Sequence, residues 1–188
     1  SEINPCPLFS SSMEGCLEHA QDYSAGGALH NPSGICLVGL STLIDSLYAI
    51  RKAVFEGNWL TLEELRQVLN VNWAGAEMLR LRMLGLPRLG YGDPAVDGLA
   101  ERFAREIAGF VRTLPNERGG HYQSSFFVYY MFVDFGRRVR ATPDGRYSGD
   151  LISMGISPSQ LAAPESVTDI VHSLTHIAFT AHPANCVL

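Results

Sequence analysis

The chain has 188 residues, 46% of them hydrophobic, and a formal net charge of −5 at pH 7. That is the length of one domain with enough apolar material for a core, and the acidic balance argues against a nucleic-acid or anionic-membrane surface. No apolar run reaches the roughly 18 residues that span a bilayer, and the first residues lack the basic and apolar regions of a secretory leader.

Residues 1–35 are rich in Ser, Gly, Pro and Asn and read as loops around one short helical stretch near Cys16 to Gln21. Ile35 to Leu40 is a short apolar run that predicts a buried strand. Thr42 to Glu56 predicts a helix with Leu43, Leu47, Ile50 and Val54 on its inner face, ended by Gly57-Asn58. Thr61-Leu62-Glu63-Glu64 is a capping box and opens a helix over 62–70. A further helix is predicted over Gly75 to Leu84.

Asp93-Pro94 is a helix start, with aspartate as N-cap and proline in the first turn. The stripe Val96, Leu99, Phe103, Ile107, Phe110 and Leu114 follows it, and Pro115-Asn116 closes it. After Gly119-Gly120, His121 to Phe135 is rich in Phe, Tyr and Val and reads as extended chain buried on both faces. Residues 139–158 are turn-rich, with a short strand near Leu151 to Met154. Ser166 to Phe179 predicts a last helix with Val167, Ile170, Val171, Leu174 and Ile177 inward. Helices outnumber strands, there is no internal repeat, and the whole chain, 1–188, reads as one α/β unit whose sheet is small or completed by other chain. The start at Ser1 and the apolar ending Asn185-Cys186-Val187-Leu188 read as cuts through a longer polypeptide.

The four cysteines, Cys6, Cys16, Cys36 and Cys186, form no C-x-x-C pair and read as reduced thiols of a cytoplasmic protein. Thr142-Pro143-Asp144-Gly145-Arg146 is first a turn, with proline presetting φ and glycine accepting positive φ. Its arginine has the fork that binds carboxylate or phosphate, although an arginine beside a tight turn is more often a local tether. Gly26-Gly27-Ala28 and Asn31-Pro32-Ser33-Gly34 offer an anion nest without a P-loop lysine or a dinucleotide fingerprint.

His172 and His176 are four apart and share a helix face, a zinc-compatible spacing. No Glu follows His172, and His182 and Cys186 are the only near further ligands. The residues therefore read as solvated or capping histidines, no metal is assigned, and a small zinc protein stays as an alternative.

Several of these strings, in this order, resemble the later barrel region of the glycyl radical enzymes, the superfamily of pyruvate formate-lyase. They are Gly15-Cys16-Leu17-Glu18, Gly26-Gly27-Ala28, Asp45 to Lys52, Asn72-Trp73-Ala74-Gly75 with Glu77, Arg88 to Asp93 with Val96-Asp97, Gly119-Gly120, Ala141 to Arg146 and Gly155-Ile156-Ser157-Pro158. Departures fall at Ala20-Gln21-Asp22, Gln160-Leu161-Ala162 and Ala163-Pro164-Glu165-Ser166. The family's thiyl cysteine lies in a Gly-Cys-x-Glu string, which Cys16 and Glu18 match. Gly26-Gly27-Ala28 just downstream, however, places Cys16 at the family's later, non-radical cysteine. The radical-bearing glycine string, Arg-Val-x-Gly, does not occur here.

The resemblance implies a portion of a ten-stranded α/β barrel with covering helices, helix-rich in this stretch. It also implies radical cleavage of C–C, C–O, C–N or C–S bonds in a small organic substrate, of dehydratase or lyase type. The family's cofactor is a glycyl radical installed by a radical S-adenosylmethionine activase, and none is expected to be bound in this chain. Partners implied are the remainder of the barrel or a complementary chain, the activase and the substrate. Pocket-lining candidates are Asn31, Ser33, Thr142 and Arg146. The chain alone should not turn over substrate, and the alternative is a non-catalytic α/β binding or scaffolding module derived from that fold.

Overall fold

A computed structural model of the chain describes residues 5–127, 130–177 and 179–182. In chain order its elements are α1 (Pro7–Ser10), β1 (Ser33–Cys36), α2 (Leu40–Ile50), α3 (Leu62–Asn70), α4 (Glu77–Leu84), α5 (Pro94–Arg112), β2 (Tyr122–Ser125), α6 (Met131–Arg138) and α7 (Val167–Thr175). The architecture is α/β and rich in helix. No helix among the described residues is long and apolar enough to cross a membrane.

The two strands pair in parallel, with Ser33 opposite Tyr122 and Cys36 opposite Ser125. Among the described residues they form a two-stranded sheet. The intervening chain is the crossover that parallel pairing requires. Helix α5 packs on β2 and on α2. Leu40, Ile44 and Tyr48 of α2, Val96, Ala100 and Ala104 of α5, Phe126 and Leu174 close one core. Ala49 and Ala53, one turn on, face a second core with Leu65, Trp73, Met83 and Ala141.

The start signals hold at atomic detail. Thr61 Oγ1 accepts from the Glu64 amide while Glu64 accepts from the Thr61 amide. Asp93 accepts from the Ala95 and Val96 amides in front of α5. Helix α2 runs on into a π-helical turn over Arg51–Glu56, where Gly57 N–H reaches the Lys52 carbonyl at 2.8 Å.

Other expectations are corrected. Of His121 to Phe135, the described residues give a strand at β2, while Met131–Arg138 is helical; residues 128 and 129 lie outside the described residues. The aromatic composition there hides Gly136, whose bare Cα presses on the next loop: a Cβ would lie 2.5 Å from the Asp150 carbonyl oxygen. Tyr130 and Phe135 are exposed rather than buried on both sides. Leu151 to Met154 forms no strand. Its backbone is satisfied instead by α2: Ser153 N–H donates to Thr42 Oγ1, and Thr42 N–H to Ser153 Oγ. Cys16 to Gln21 is a series of turns, and the short helix lies earlier, at Pro7–Ser10.

Faces differ as well. Leu43 and Leu47 are part-exposed while Ile44 and Tyr48 are buried, and Phe110, Val167 and Val171 lie outside. In each helix small residues or a shifted stripe take the inner face. In α5 it is Ala100, Ala104 and Ala108, which let the helix approach its neighbours closely.

Candidate functional site

Two of the motifs singled out in the sequence, Asn72 to Glu77 and Arg88 to Asp93, are far apart in the chain and meet around one turn. Thr142-Pro143-Asp144-Gly145-Arg146 closes with Thr142 N–H to the Arg146 carbonyl at 3.1 Å and Gly145 N–H to the Thr142 carbonyl at 3.1 Å. Asp144 accepts from the Thr142 hydroxyl at 2.5 Å. The turn then takes partners from the Asn72–Glu77 stretch, from Arg80 and from Arg88. Trp73 is wholly buried and donates its indole N–H to the Arg146 carbonyl, and Asn72 accepts from the Ser148 amide. Arg80 Nε donates to the Gly145 carbonyl, and its guanidinium lies over the Tyr147 ring at 3.9 Å. The Tyr147 hydroxyl reaches Glu77.

Arg88 is a buried, charged tether. It is 2% exposed. Its Nη2 donates to the Asp144 carbonyl and its Nη1 lies 3.3 Å from Asp45 and 3.8 Å from the Asp144 carboxylate. Asp45 also accepts from the Leu89 amide at 2.9 Å. Burial pushes the Asp45 carboxyl up to about 7, against the Leu89 amide and the Arg88 charge that favour its ionised form. Gly90, next in the chain, has φ +98° and abuts the Pro158 ring, where a Cβ would sit at 2.6 Å. The Ser157-Pro158 motif is therefore locked to the Arg88 motif by contact.

Arg146 is buried, and all five of its N–H bonds are engaged. Nε donates to the Thr142 hydroxyl, Nη1 to the Tyr147 and Asp150 carbonyls, and Nη2 to the Val139 and Arg140 carbonyls. A guanidinium has five donors, so none is left for a substrate carboxylate. The geometry is that of the tether.

The outer edge of this turn faces a groove of about 360 Å³. Val38 and Gly39 after β1, Thr42, Leu43 and Leu47 of α2, Val139, Thr142, Pro143 and Ile152 are among its walls. It lies beyond the carboxyl end of β1, where open parallel sheets place their ligands. Among the described residues, no carboxylate, imidazole or thiol lines it. Its hydroxyls already serve the fold: Ser46 donates to the Thr42 carbonyl and Thr142 to Asp144. This surface shapes and excludes; it supplies no proton and no nucleophile.

The remaining candidates lie elsewhere. Asn31 donates to the Gly26 and Ala28 carbonyls, and Ser33 accepts from Asn116 and Arg118. The structure brings Asn31 to Ser33 and Thr142 to Arg146, but the groove that Thr142 lines includes neither Asn31 nor Ser33. Cys16 is buried and lines a separate hollow of about 380 Å³ with Pro5, Pro7, Ser10 and Asp22. Glu18 accepts from the Gly15 amide and closes its own turn. Asp22 takes four donors: the Ser24 and Ser10 hydroxyls and the Ser24 and Cys6 amides. The hydroxyls of Ser24 and Ser10 above all hold its carboxyl well below the usual range.

Of the histidines, His182 is buried between Ser124 and Ala104. Its Nε2 faces the Ala104 carbonyl at 2.9 Å, so that nitrogen carries the proton, and burial lowers its basicity. It is not among the groups that gather at His172 and His176, and Cys186 lies outside the described residues. What meets the His172–His176 face is Asp97, which the sequence offered only within the family-like string that runs from Arg88 to Val96-Asp97.

The family model described as "Pyruvate formate lyase-like" matches residues 1–136. The chain belongs to the pyruvate formate lyase-like family. It is 31% identical over 170 residues to a trans-4-hydroxy-L-proline dehydratase of Clostridioides difficile, covering 90% of this chain and 22% of the relative. It is 33% identical to an isethionate sulfite-lyase of Nitratidesulfovibrio vulgaris, covering 89% of this chain and 20% of the relative. Among solved structures, the glycerol-bound B12-independent glycerol dehydratase from Clostridium butyricum matches with a TM-score of 0.93 and 32% identity, over 99% of this chain and 24% of that one. The chain thus spans about a fifth to a quarter of the glycyl radical dehydratases and lyases it resembles.

Proposed function

We propose that this chain forms part of the wall of the reaction chamber in a glycyl radical enzyme of the dehydratase or lyase type, acting on a small polar organic substrate. The observation that carries the reading is the apolar groove at the end of β1, floored by a turn held by Asn72-Trp73, Arg80 and Arg88. Radical chemistry requires a site from which water and side reactants are excluded. An immobile wall without titratable groups serves that need, whereas it would serve acid–base or nucleophilic catalysis poorly. The likeness to a hydroxyproline dehydratase, a sulfite-lyase and a glycerol dehydratase supports elimination of a leaving group from the substrate radical.

In this reading β1 and β2 are two staves of the family's ten-stranded barrel. The hydrogen-abstracting cysteine and the radical glycine stand on parts of the enzyme outside these residues, and an activase generates the radical. Thr142 and Pro143 bound the chamber, Arg146 positions them, and Cys16 and Glu18 hold the turns that follow α1 rather than carry the radical.

The test is anaerobic expression of the open reading frame containing these residues together with a radical S-adenosylmethionine activase. A glycyl electron paramagnetic resonance doublet, and product from a panel of diols, hydroxyproline and isethionate, is the expected result. Absence of the doublet with an activase that charges a control dehydratase sinks the reading. In that case small-molecule binding without turnover would identify a non-catalytic module.

A further inference from the structure

Asp97, in the first turn of α5, is 1% exposed. Neither of its carboxylate oxygens makes a hydrogen bond of ordinary geometry among the described residues, and the one hydroxyl that acts on the carboxyl is that of Ser173 on α7. A carboxyl group buried in that condition is costly unless a cation or a donor compensates it. No lysine or arginine among the described residues pairs with it. What it faces is α7. His172 Nδ1 lies 4.0 Å from Asp97 Oδ2, and the His176 ring stands 5.2 Å from the His172 ring, edge to face. One ligand atom from each of the three falls within 4.8 Å of the others.

The donor set is two imidazoles spaced i, i+4 on one helix and one carboxylate from a second helix. That set suits a borderline divalent transition cation such as zinc. Calcium and magnesium prefer all-oxygen sites, and soft ions prefer thiolate. Bonds of about 2.0–2.2 Å in a tetrahedral site put ligand atoms roughly 3.4 Å apart. The observed spacings are wider by about an ångström, a gap that rotation of exposed imidazoles closes. The His172 side chain is 60% exposed, whereas Asp97 is fixed by burial.

We propose that Asp97, His172 and His176 form a binding site for a zinc-class divalent cation, which clasps α7 to α5 and leaves its outer coordination position to water. The site is distinct from the groove and independent of the radical reading.

The test uses the 188-residue chain, stripped with chelator and titrated with Zn²⁺ and, separately, Co²⁺. One equivalent should bind, the cobalt form should show the visible absorption of a four-coordinate ion, and thermal unfolding should move up with metal. Loss of a group that merely supports a ligand costs about 10–100-fold in affinity, so His172→Ala and His176→Ala should each cost at least that. Both lie on the surface, and their folding is checked by circular dichroism. Asp97→Asn should abolish the cobalt spectrum; if that variant does not fold, the histidine variants decide. Failure to bind a stoichiometric ion, or binding retained by the His172→Ala/His176→Ala double variant, overturns the proposal.

Discussion

At Arg88 one buried guanidinium faces two buried carboxylates, Asp45 and Asp144. Burial raises Asp45 from its ordinary 3.8 to about 7. The folded chain therefore holds this proton more tightly than the unfolded chain. The associated stability is complete below about pH 4 and is lost as pH rises towards 7, with a slope of at most about 1.4 kcal/mol per pH unit. Urea unfolding between pH 4 and 7 should show that decline, and Asp45→Asn should flatten it. Arg146 presents a different case, since its five donors satisfy four backbone carbonyls and a hydroxyl. Arg146→Lys keeps the charge but not the fork. Stranding two or more buried acceptors at about 1–3 kcal/mol each should destabilise the chain by about 3 kcal/mol or more, read from the shift in urea midpoint. A residue whose five N–H groups were free for ligand would leave stability nearly unchanged on that substitution.

The helices owe their ends to local chemistry and their faces to tertiary fit. Thr61→Ala removes a complete capping box on exposed α3, and about 1 kcal/mol should be lost. Gly90→Ala should cost more although it deletes nothing. The left-handed φ of +98° and the Pro158 ring in the path of a Cβ both resist a side chain. Comparing the two variants by thermal melting separates a local signal from a tertiary one: the larger drop is expected at Gly90. Helix α6 makes the same point. Its Gly136 is the close contact that seats the helix against Asp150 to Ile152.

On the scale of the whole molecule, a two-stranded sheet leaves strand edges without ladder partners among the described residues. The groove beside it exposes Leu43 and Leu47 of α2. Unpaired edges and apolar faces favour association. The 188-residue chain in isolation should therefore self-associate in light scattering. The double substitution Leu43→Gln/Leu47→Gln, on part-exposed positions, should shift it towards monomer without loss of helical circular dichroism. A wild-type chain that stays monomeric at high concentration would contradict this.

Features that depend on neighbours in the chain were legible in the residues alone. Thr61 to Glu64 and Asp93-Pro94 place helix starts because caps act within one turn, and Pro143 with Gly145 makes a turn because φ is a local property. The ordered motifs also sufficed to place the chain in its family. Only the tertiary structure decided what those motifs do. Asn72-Trp73, Arg80, Arg88 and Pro158 converge on one site through contacts between residues distant in the chain, and no periodicity encodes such contacts. The same holds for the inner faces of α2, α5 and α7, where close approach of neighbouring elements favours alanine or an offset stripe over the largest apolar residues. It holds again for Asp97, which became notable only when α7 brought two histidines to a carboxylate that burial had cut off from water.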